Sequence, residues 1–215
     1  MITCGLVLAA GRSTRFGAAD KLLADFRGRP LAAHAAAAMR AVPLDHRLVA
    51  VADPAVQALF DGFEPVAPNQ ADAPQSESLA RGARRAGALG ADRLLVALAD
   101  MPLVDPDHLA AVLASCADGR PAATTDGERL MPPVCFPGDW LAPLTRIEGD
   151  RGASALLAGR EDVTHVRAPA SMLVDIDRPA DLRALSDDGP CEPGAGKRRP
   201  GRASTRSSRG VPSGR

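Results

Sequence analysis

Short aliphatic segments alternate with longer amphipathic segments over most of the chain. Apolar runs at residues 6–8, 48–51 and 94–98 are short and bounded by turn residues, which is typical of buried strands. Segments with helical spacing of apolar positions lie between them, beginning with an alanine-rich segment that follows Pro30 and ends near Val42. Strands and helices that alternate in this way predict a mainly parallel sheet with helices on both faces.

The remaining elements continue this alternation. The run at 94–98 is the most apolar in the chain, and we predict it at the centre of the sheet. Asp53, Ser76 and Asp105 each stand where a helical pattern begins, as helix caps do. Further strands are predicted at residues 65–67, 122–125, 134–136, 163–167 and 172–177, and further helices at 54–62, 76–89, 106–119, 140–147, 153–157 and 179–185.

The first predicted strand leads directly into a basic glycine loop, L-A-A-G-R-S-T-R-F-G-A-A-D-K at residues 8–21. Small residues at the carboxyl end of a buried strand let a ligand approach the backbone, and open α/β sheets bind ligands at this edge. Backbone N–H groups with Arg12, Arg15 and Lys21 favour a polyphosphate. The loop is neither a P-loop nor the dinucleotide fingerprint, and glycine turns after strands are common. The pattern alone therefore leaves a nucleotide loop and a structural turn both open.

Asp100 follows the central strand, within L-A-D-M-P-L at residues 98–103. A carboxylate at the end of a buried strand is costly unless it binds something. A carboxylate oxygen is a ligand that Mg²⁺ prefers. The local pattern leaves two interpretations open, a Mg²⁺ ligand and a turn cap before Pro102.

Composition argues against several classes of function. The chain has 215 residues, no Tyr and one Trp, so aromatic stacking on nucleic-acid bases is not expected to dominate. The formal net charge is zero, but the part before Asp187 has a net charge of about −4. An acidic body with a basic loop favours a metal-nucleotide enzyme over a nucleic-acid clamp. No apolar run approaches the ~20 residues of a membrane span.

The cysteines indicate a reducing compartment. Cys4, Cys116, Cys135 and Cys191 lie far apart and form no C-x-x-C pair, which argues against zinc and favours a cytoplasmic location. The N-terminal apolar stretch lacks a basic n-region, and we interpret it as a strand rather than a signal peptide.

We expect one folded domain and a tail. Residues 1–186 carry the predicted strands and helices, whereas Gly, Pro, Ser and Arg dominate residues 187–215. Such a composition predicts disorder. A basic tail can contact RNA or anionic surfaces, but a solvated extension is the favoured interpretation.

Several separate motifs resemble one family, the nucleotidyltransferases that attach a nucleoside monophosphate to molybdopterin. The glycine loop resembles the family signature L-A-[AG]-G-x-S-x-R-M-G-x-x-K, with Phe16 in place of Met and one extra residue before Lys21. The other motifs resemble L-[GA]-D-[MQ]-P-[LF] at residues 98–103, S-S-S-L-x-x-G at 76–82, G-D-[RK]-G-A of the cytidylyl branch at 149–153, and D-[IV]-D-T-P-x-D-L at 175–182.

This resemblance implies a Rossmann-like three-layer α/β/α nucleotidyltransferase fold. It also implies attack of an acceptor oxygen on the α-phosphorus of an NTP, with release of pyrophosphate. Mg²⁺ would be held by Asp100 and Asp175, with Asp177 as the alternative second ligand. The residues assigned to nucleotide binding are Leu8, Ala9, Ala10, Gly11, Arg12, Ser13, Gly17, Lys21, Ser76 and Ser78, and those assigned to catalysis are Arg15, Lys21 and Asp100.

The acceptor half departs from the family pattern. Residues 131–134, M-P-P-V, replace G-[HN]-P-V, and Ser154 replaces an arginine. The resemblance implies a molybdopterin-type acceptor, with a molybdoenzyme or its maturation chaperone as partner. Two alternatives stay open: a related transferase with another phosphorylated acceptor or with GTP, and an accessory protein that binds nucleotide without turnover. Nucleic-acid binding is the least favoured.

The choice of nucleotide depends on Ala10. Glycine at this position is typical of the guanylyl branch and alanine of the cytidylyl branch, where the methyl group narrows the base slot. The motif at 149–153 also favours the cytidylyl branch, whereas Met101 is closer to the guanylyl pattern. We therefore expect CTP in preference to GTP.

Overall fold

The computed structural model describes residues 1–10, 16, 20–67, 74–147, 153–157 and 159–187. The strands within these residues are β1 (Thr3–Leu8), β2 (Asp25–Phe26), β3 (Arg29–Pro30), β4 (His46–Ala50), β5 (Glu64–Val66), β6 (Arg93–Leu98), β7 (Ala122–Thr125), β8 (Leu130–Pro137) and β9 (Thr164–Arg167). The α-helices are α1 (Leu31–Ala41), α2 (Pro54–Gln57), α3 (Gln75–Ala88), α4 (Pro106–Ser115), α5 (Leu141–Leu144) and α6 (Pro179–Asp187). Short 3₁₀ helices span Lys21–Leu23, Gly138–Trp140, Ala153–Leu156 and Ala170–Met172.

The main sheet is mostly parallel, as predicted, with β6 at its centre. Its described strands lie in the order β5-β4-β1-β6-β8-β7-β9, and only β8 runs antiparallel to its neighbours. Leu8 at the end of β1 is paired with Ala50 of β4 and Leu98 of β6. The carboxyl ends of these three strands therefore meet at one edge, which is where open α/β sheets bind ligands.

Core side chains cover both faces of the sheet. Leu6 and Leu8 of β1 pack in the core that contains Leu79 of α3, whereas Val7 packs in the core on the opposite face with Leu31 of α1. Each strand buried on both faces must be apolar throughout, which explains the continuous aliphatic runs in the sequence. These packed layers confirm the predicted three-layer α/β/α architecture. Among the described residues, no helix is long and apolar enough to cross a membrane.

The prediction that Ser76 caps α3 is wrong. The helix starts at Gln75, and the carbonyl of Pro74 accepts the backbone N–H of Glu77 at 3.0 Å. Pro74 therefore occupies the cap position, and its own lack of an N–H is harmless there. Ser76 lies inside the first turn and is buried.

The predicted strand at residues 172–177 is also wrong. The segment contains the end of a 3₁₀ helix and then irregular backbone. Its buried side chains, Leu173 and Ile176, are three residues apart rather than alternating, so the period-two pattern required of a strand is not met. A backbone bond from Ile176 N–H to the carbonyl of Asp100, at 3.1 Å, holds this segment against the end of β6.

Other differences concern short elements and boundaries. The helix predicted at 140–147 is present only as α5 and the 3₁₀ turn that precedes it. The β2–β3 ribbon was not predicted, because strands of two residues are too short to show a repeating pattern of apolar positions. The helix α6 ends at Asp187, and residues 188–215, where a basic tail is predicted, lie outside the described part of the chain.

A buried hydrogen-bond chain ties α4 to the beginning of β8. The Nε2 atom of His108 lies 2.9 Å from Thr124 Oγ1, and that hydroxyl donates to the carbonyl of Pro133 at 2.8 Å. Because the hydroxyl hydrogen is directed to Pro133, His108 must donate from Nε2. These hydrogen bonds fix the start of β8, in the part of the strand that precedes the pairing of Val134 in β8 with Val96 in β6. Burial lowers the pKa of His108, although the nearby Asp105 acts in the opposite direction.

We predict that replacing Gly82 by alanine destabilises the protein. A Cβ at position 82 in α3 would overlap the side chain of Leu6 in β1, and such overpacking costs roughly 1–3 kcal/mol. Gly87 in the same helix has no atom within 4 Å of the corresponding position. Gly87→Ala should therefore raise the free energy of unfolding by roughly 0.5–1 kcal/mol through helix propensity. Urea unfolding of both variants tests the packing; equal effects at the two positions would contradict it.

We also predict a pH effect from His108. Because its folded-state pKa lies below the ordinary value, the unfolded chain takes up the proton first, so stability falls as the pH drops below about 6.5. His108→Gln keeps a donor toward Thr124 but cannot titrate. The free energy of unfolding of this variant should decline less than that of the wild type between about pH 7 and about pH 5. Equal declines would show that His108 does not supply the pH dependence.

Candidate functional site

The site is built around Asp100, two residues beyond the end of β6. The Ala99 N–H donates to the carbonyl of Leu8 at 3.1 Å, and the Ala9 N–H donates to that of Ala50 at 2.8 Å. The hydrogen bonds between strands thus continue one residue beyond β1 and β6, to the start of the loop that follows each strand. Asp100 is therefore held at a fixed position beside the end of β1, where the glycine loop begins.

Lys21 reaches Asp100 from the other side of that loop. It opens a 3₁₀ turn whose N-cap is Asp20, which accepts the N–H of Leu22 at 2.9 Å. The side chain is buried, with 8% of its area exposed, and Nζ donates to Asp100 Oδ2 at 2.7 Å. Lysine is rarely buried unless its charge is compensated, so this placement indicates a specific role for the ammonium group.

Two more carboxylates come from the irregular segment before α6. Nζ of Lys21 donates to Asp177 Oδ1 at 2.9 Å and lies 3.9 Å from Asp175 Oδ1. The side chain of Asp181 accepts the N–H groups of Asp177 and Arg178 at 3.2 and 2.8 Å, which fixes the backbone beside the site. The D-x-D-x-x-x-D spacing thus supplies two site carboxylates and one helix-start cap.

We call Asp100, Asp175 and Asp177 the carboxylate cage. One oxygen from each lies within 4.8 Å of the others. The second oxygen of Asp100, Oδ1, is buried and receives no hydrogen bond from any described residue. A buried oxygen without a donor, next to two further carboxylates, fits a hard divalent cation such as Mg²⁺ or Mn²⁺.

The charges at the carboxylate cage shift the pKa values of Asp175 and Lys21. The pKa of Asp175 is raised to about 7, first by desolvation and then by the negative charge of Asp100, with a smaller contribution from Asp177. Burial alone would lower the pKa of Lys21, but Asp100 and Asp177 together raise it above its usual value. Lys21 is therefore a fixed positive charge, and Asp175 gives up its proton less readily than an ordinary aspartate. A carboxyl group with a strongly perturbed pKa inside a cluster of charges is typical of functional sites.

The other predicted site residues divide into described and undescribed positions. Leu8, Ala9 and Ala10 are buried at the end of β1, and Ser76 and Ser78 are buried in the first turn of α3. Ser78 Oγ has no hydrogen-bond partner among the described residues. Predictions for Gly11, Arg12, Ser13, Arg15, Gly17 and the motif at 149–152 fall outside the described residues.

Sequence reasoning did not foresee how Lys21 would pair. It assigned Lys21 to phosphates and left the choice between Asp175 and Asp177 open, whereas the structure brings all of them together with Asp100. The only signal in the sequence was partial: Asp100 follows the central strand and Lys21 ends the loop that follows β1, and the ends of these parallel neighbours meet at one edge. Nothing comparable placed Asp175 and Asp177, because their segment directly follows no strand of the sheet.

Comparison with known proteins relates the chain to nucleotide-handling enzymes. The model of the MobA-like NTP transferase domain matches residues 5–166. Two relatives are 29% identical: purine catabolism protein PucB of Bacillus subtilis, over 71% of this chain and 79% of the relative, and phosphoenolpyruvate guanylyltransferase of Conexibacter woesei, over 67% of each.

A solved structure supports the same relationship. The crystal structure of Rv0371c from Mycobacterium tuberculosis matches 88% of this chain and 100% of its own, with 25% identity and a TM-score of 0.77. That protein has also been crystallised as a manganese complex. The mostly parallel sheet and the family match over residues 5–166 agree, and the chain belongs to the MobA-like NTP transferase family.

Proposed function

We propose that the protein transfers CMP from CTP to a molybdopterin-type acceptor, with release of pyrophosphate, at the edge where Lys21 meets the carboxylate cage. The observation that carries this proposal is the buried Lys21 ammonium, held 2.7 Å from Asp100 beside the end of the glycine loop. A cation and three carboxylates at the carboxyl edge of a parallel sheet suit a metal-bound triphosphate. The family relationship supports the reaction class, nucleotidyl transfer.

In the proposed reaction an oxygen of the acceptor attacks the α-phosphorus of the NTP. A new P–O bond forms while the bond from the α-phosphorus to the bridging oxygen breaks, and pyrophosphate leaves with the electron pair. This chemistry depends on positioning and charge neutralisation, and no protein nucleophile is required. The amides of residues 11–17, with Arg15 and Lys21, would neutralise the leaving pyrophosphate.

The carboxylate cage would hold Mg²⁺ in this proposal. When bound, the ion neutralises phosphate charge and orients the reacting oxygens. Asp100 and Asp177 are the favoured pair of ligands in this proposal, because both directly contact the cation that the site already holds, the Lys21 ammonium group, at 2.7 and 2.9 Å. The manganese complex of the structurally similar Rv0371c is consistent with a divalent ion in this proposal.

The acceptor is the least constrained part of the proposal. The relatives' names differ in what they act on, and one of them is a guanylyltransferase. Met131 lies at the start of β8, on the acceptor side of the proposed site, and its side chain packs against the core. The molybdopterin pattern has a small residue at this position. A different phosphorylated acceptor and GTP as donor are therefore the second candidate, and a binding protein without turnover is the third.

We predict that Asp100→Asn lowers pyrophosphate release by about 10²–10³-fold, because an amide is a much poorer ligand than a carboxylate for the divalent ion that would neutralise the reacting phosphates. The assay uses molybdopterin with CTP, GTP, ATP and UTP in turn. Asp107→Asn removes an exposed carboxylate in the first turn of α4 and serves as the matched control. Near wild-type release by the Asp100 variant would remove this residue from the site. Nucleotide binding without release by the wild type, whichever acceptor is supplied, would favour the binding protein.

We further predict that Ala10→Gly narrows a preference for CTP over GTP. Ala10 is buried but packs in neither core cluster of the described residues, so its methyl group is free to limit the base slot. One methyl group changes such discrimination by ~1–3 kcal/mol. Ala97→Gly is the control, since Ala97 is a buried alanine of β6 that packs in a core cluster and has no assigned role in nucleotide binding. Competition between labelled CTP and GTP measures the ratio; preferential use of GTP by the wild type would overturn the assignment.

A further inference from the structure

The ammonium group of Lys21 lies inside the carboxylate cage. Nζ is 2.7 Å from Asp100 Oδ2, 2.9 Å from Asp177 Oδ1 and 3.9 Å from Asp175 Oδ1, and each carboxylate has an oxygen within 4.8 Å of the other two. A divalent ion ligated at roughly 2.0–2.6 Å through the oxygens that Lys21 contacts would occupy the space of the ammonium group. Those oxygens can therefore hold the lysine head group or a metal ion, but not both.

The chain around Lys21 lets its head group move while its base stays in place. The backbone is fixed by the 3₁₀ turn and its Asp20 cap, and Leu22 is buried in the core. The side chain above it is a flexible four-carbon stem that ends in a compact charge. Phosphates held by the glycine loop would lie next to Lys21, because the loop ends directly before it. A second set of anionic partners is thus within reach of the same head group.

We propose that Lys21 and the divalent cation are mutually exclusive ligands of the carboxylate cage, and that nucleotide phosphates draw Lys21 out of the cage and admit the metal. This inference rests on the proposed function and adds an order of events to it. The nucleotide-free protein binds metal weakly, because Lys21 already satisfies Asp100 and Asp177. Metal and nucleotide then bind with positive coupling, which is reciprocal between the two ligands.

Metal binding without nucleotide tests the exchange directly. The full-length wild type and Lys21→Met are titrated with Mn²⁺ alone, and free Mn²⁺ is measured by electron paramagnetic resonance. Methionine keeps the apolar stem without the charge. The variant should bind Mn²⁺ on the order of tenfold more tightly, a coupling of the usual size for linked ligands. Arg120→Met removes an exposed positive charge just before β7, at the opposite edge of the sheet, and should match the wild type. Equal or weaker binding by Lys21→Met would overturn the exchange.

A second measurement uses the wild type and does not depend on the folding of a variant. The sequence contains two lysines, Lys21 and Lys197, and amine labelling followed by mass spectrometry reports both. Saturating Mg²⁺ alone should increase labelling of Lys21 at least severalfold while that of Lys197 stays constant. Unchanged labelling of Lys21 at a Mg²⁺ concentration that saturates the protein would also overturn the proposal.

The Asp100→Asn variant separates failure of this inference from failure of the proposed function. If Asp100→Asn abolishes Mn²⁺ binding and Lys21→Met gives no gain, the cage is the metal site and the exchange alone is wrong. If Asp100→Asn binds Mn²⁺ as the wild type does, the metal assignment within the proposed function is wrong as well.

Discussion

The ion pair between Lys21 and Asp100 is the interaction on which the site depends. It joins the residue after the glycine loop to the end of the central strand, at 2.7 Å and with 8% of the lysine side chain exposed. Removing Lys21 would leave three clustered carboxylates without their compensating cation, which is more costly than the net value of the pair. The remaining site groups, Asp175 and Asp177, are placed relative to this pair.

The sheet supplies the rigid frame for that interaction. Parallel pairing of β1 with β4 and β6 brings three strand ends to one edge, and close packing of α3 at Gly82 against Leu6 fixes β1 from one face. The backbone of Lys21 is fixed by its 3₁₀ turn, whereas its head group stands on a four-carbon stem with rotatable bonds. A fixed Asp100 and a lysine head group on such a stem are the two properties that the proposed exchange between lysine and metal requires.

The regular part of this architecture could be predicted from sequence because its causes are local. Runs such as 94–98 are apolar throughout since both faces of the strand are buried, and Asp53 caps α2 through a bond to the N–H of Ala55. The segment at 172–177 could not be predicted, because its conformation is set by a bond from Ile176 to the carbonyl of Asp100, 76 residues away in sequence. The pairing of Lys21 with Asp177 depends on the same long-range contact, so sequence motifs gave the ligand types without their mutual positions.

The decisive measurement is the position of the metal relative to Lys21 and the nucleotide. A crystal of the protein with Mn²⁺ and a non-hydrolysable CTP analogue would locate the ion by its anomalous scattering. The account predicts one strong peak within ligand distance of Asp100 and Asp177, with Nζ of Lys21 turned away from the cage toward the phosphates. A peak elsewhere, or a lysine head group still bound to Asp100 beside a fully occupied metal, would contradict it.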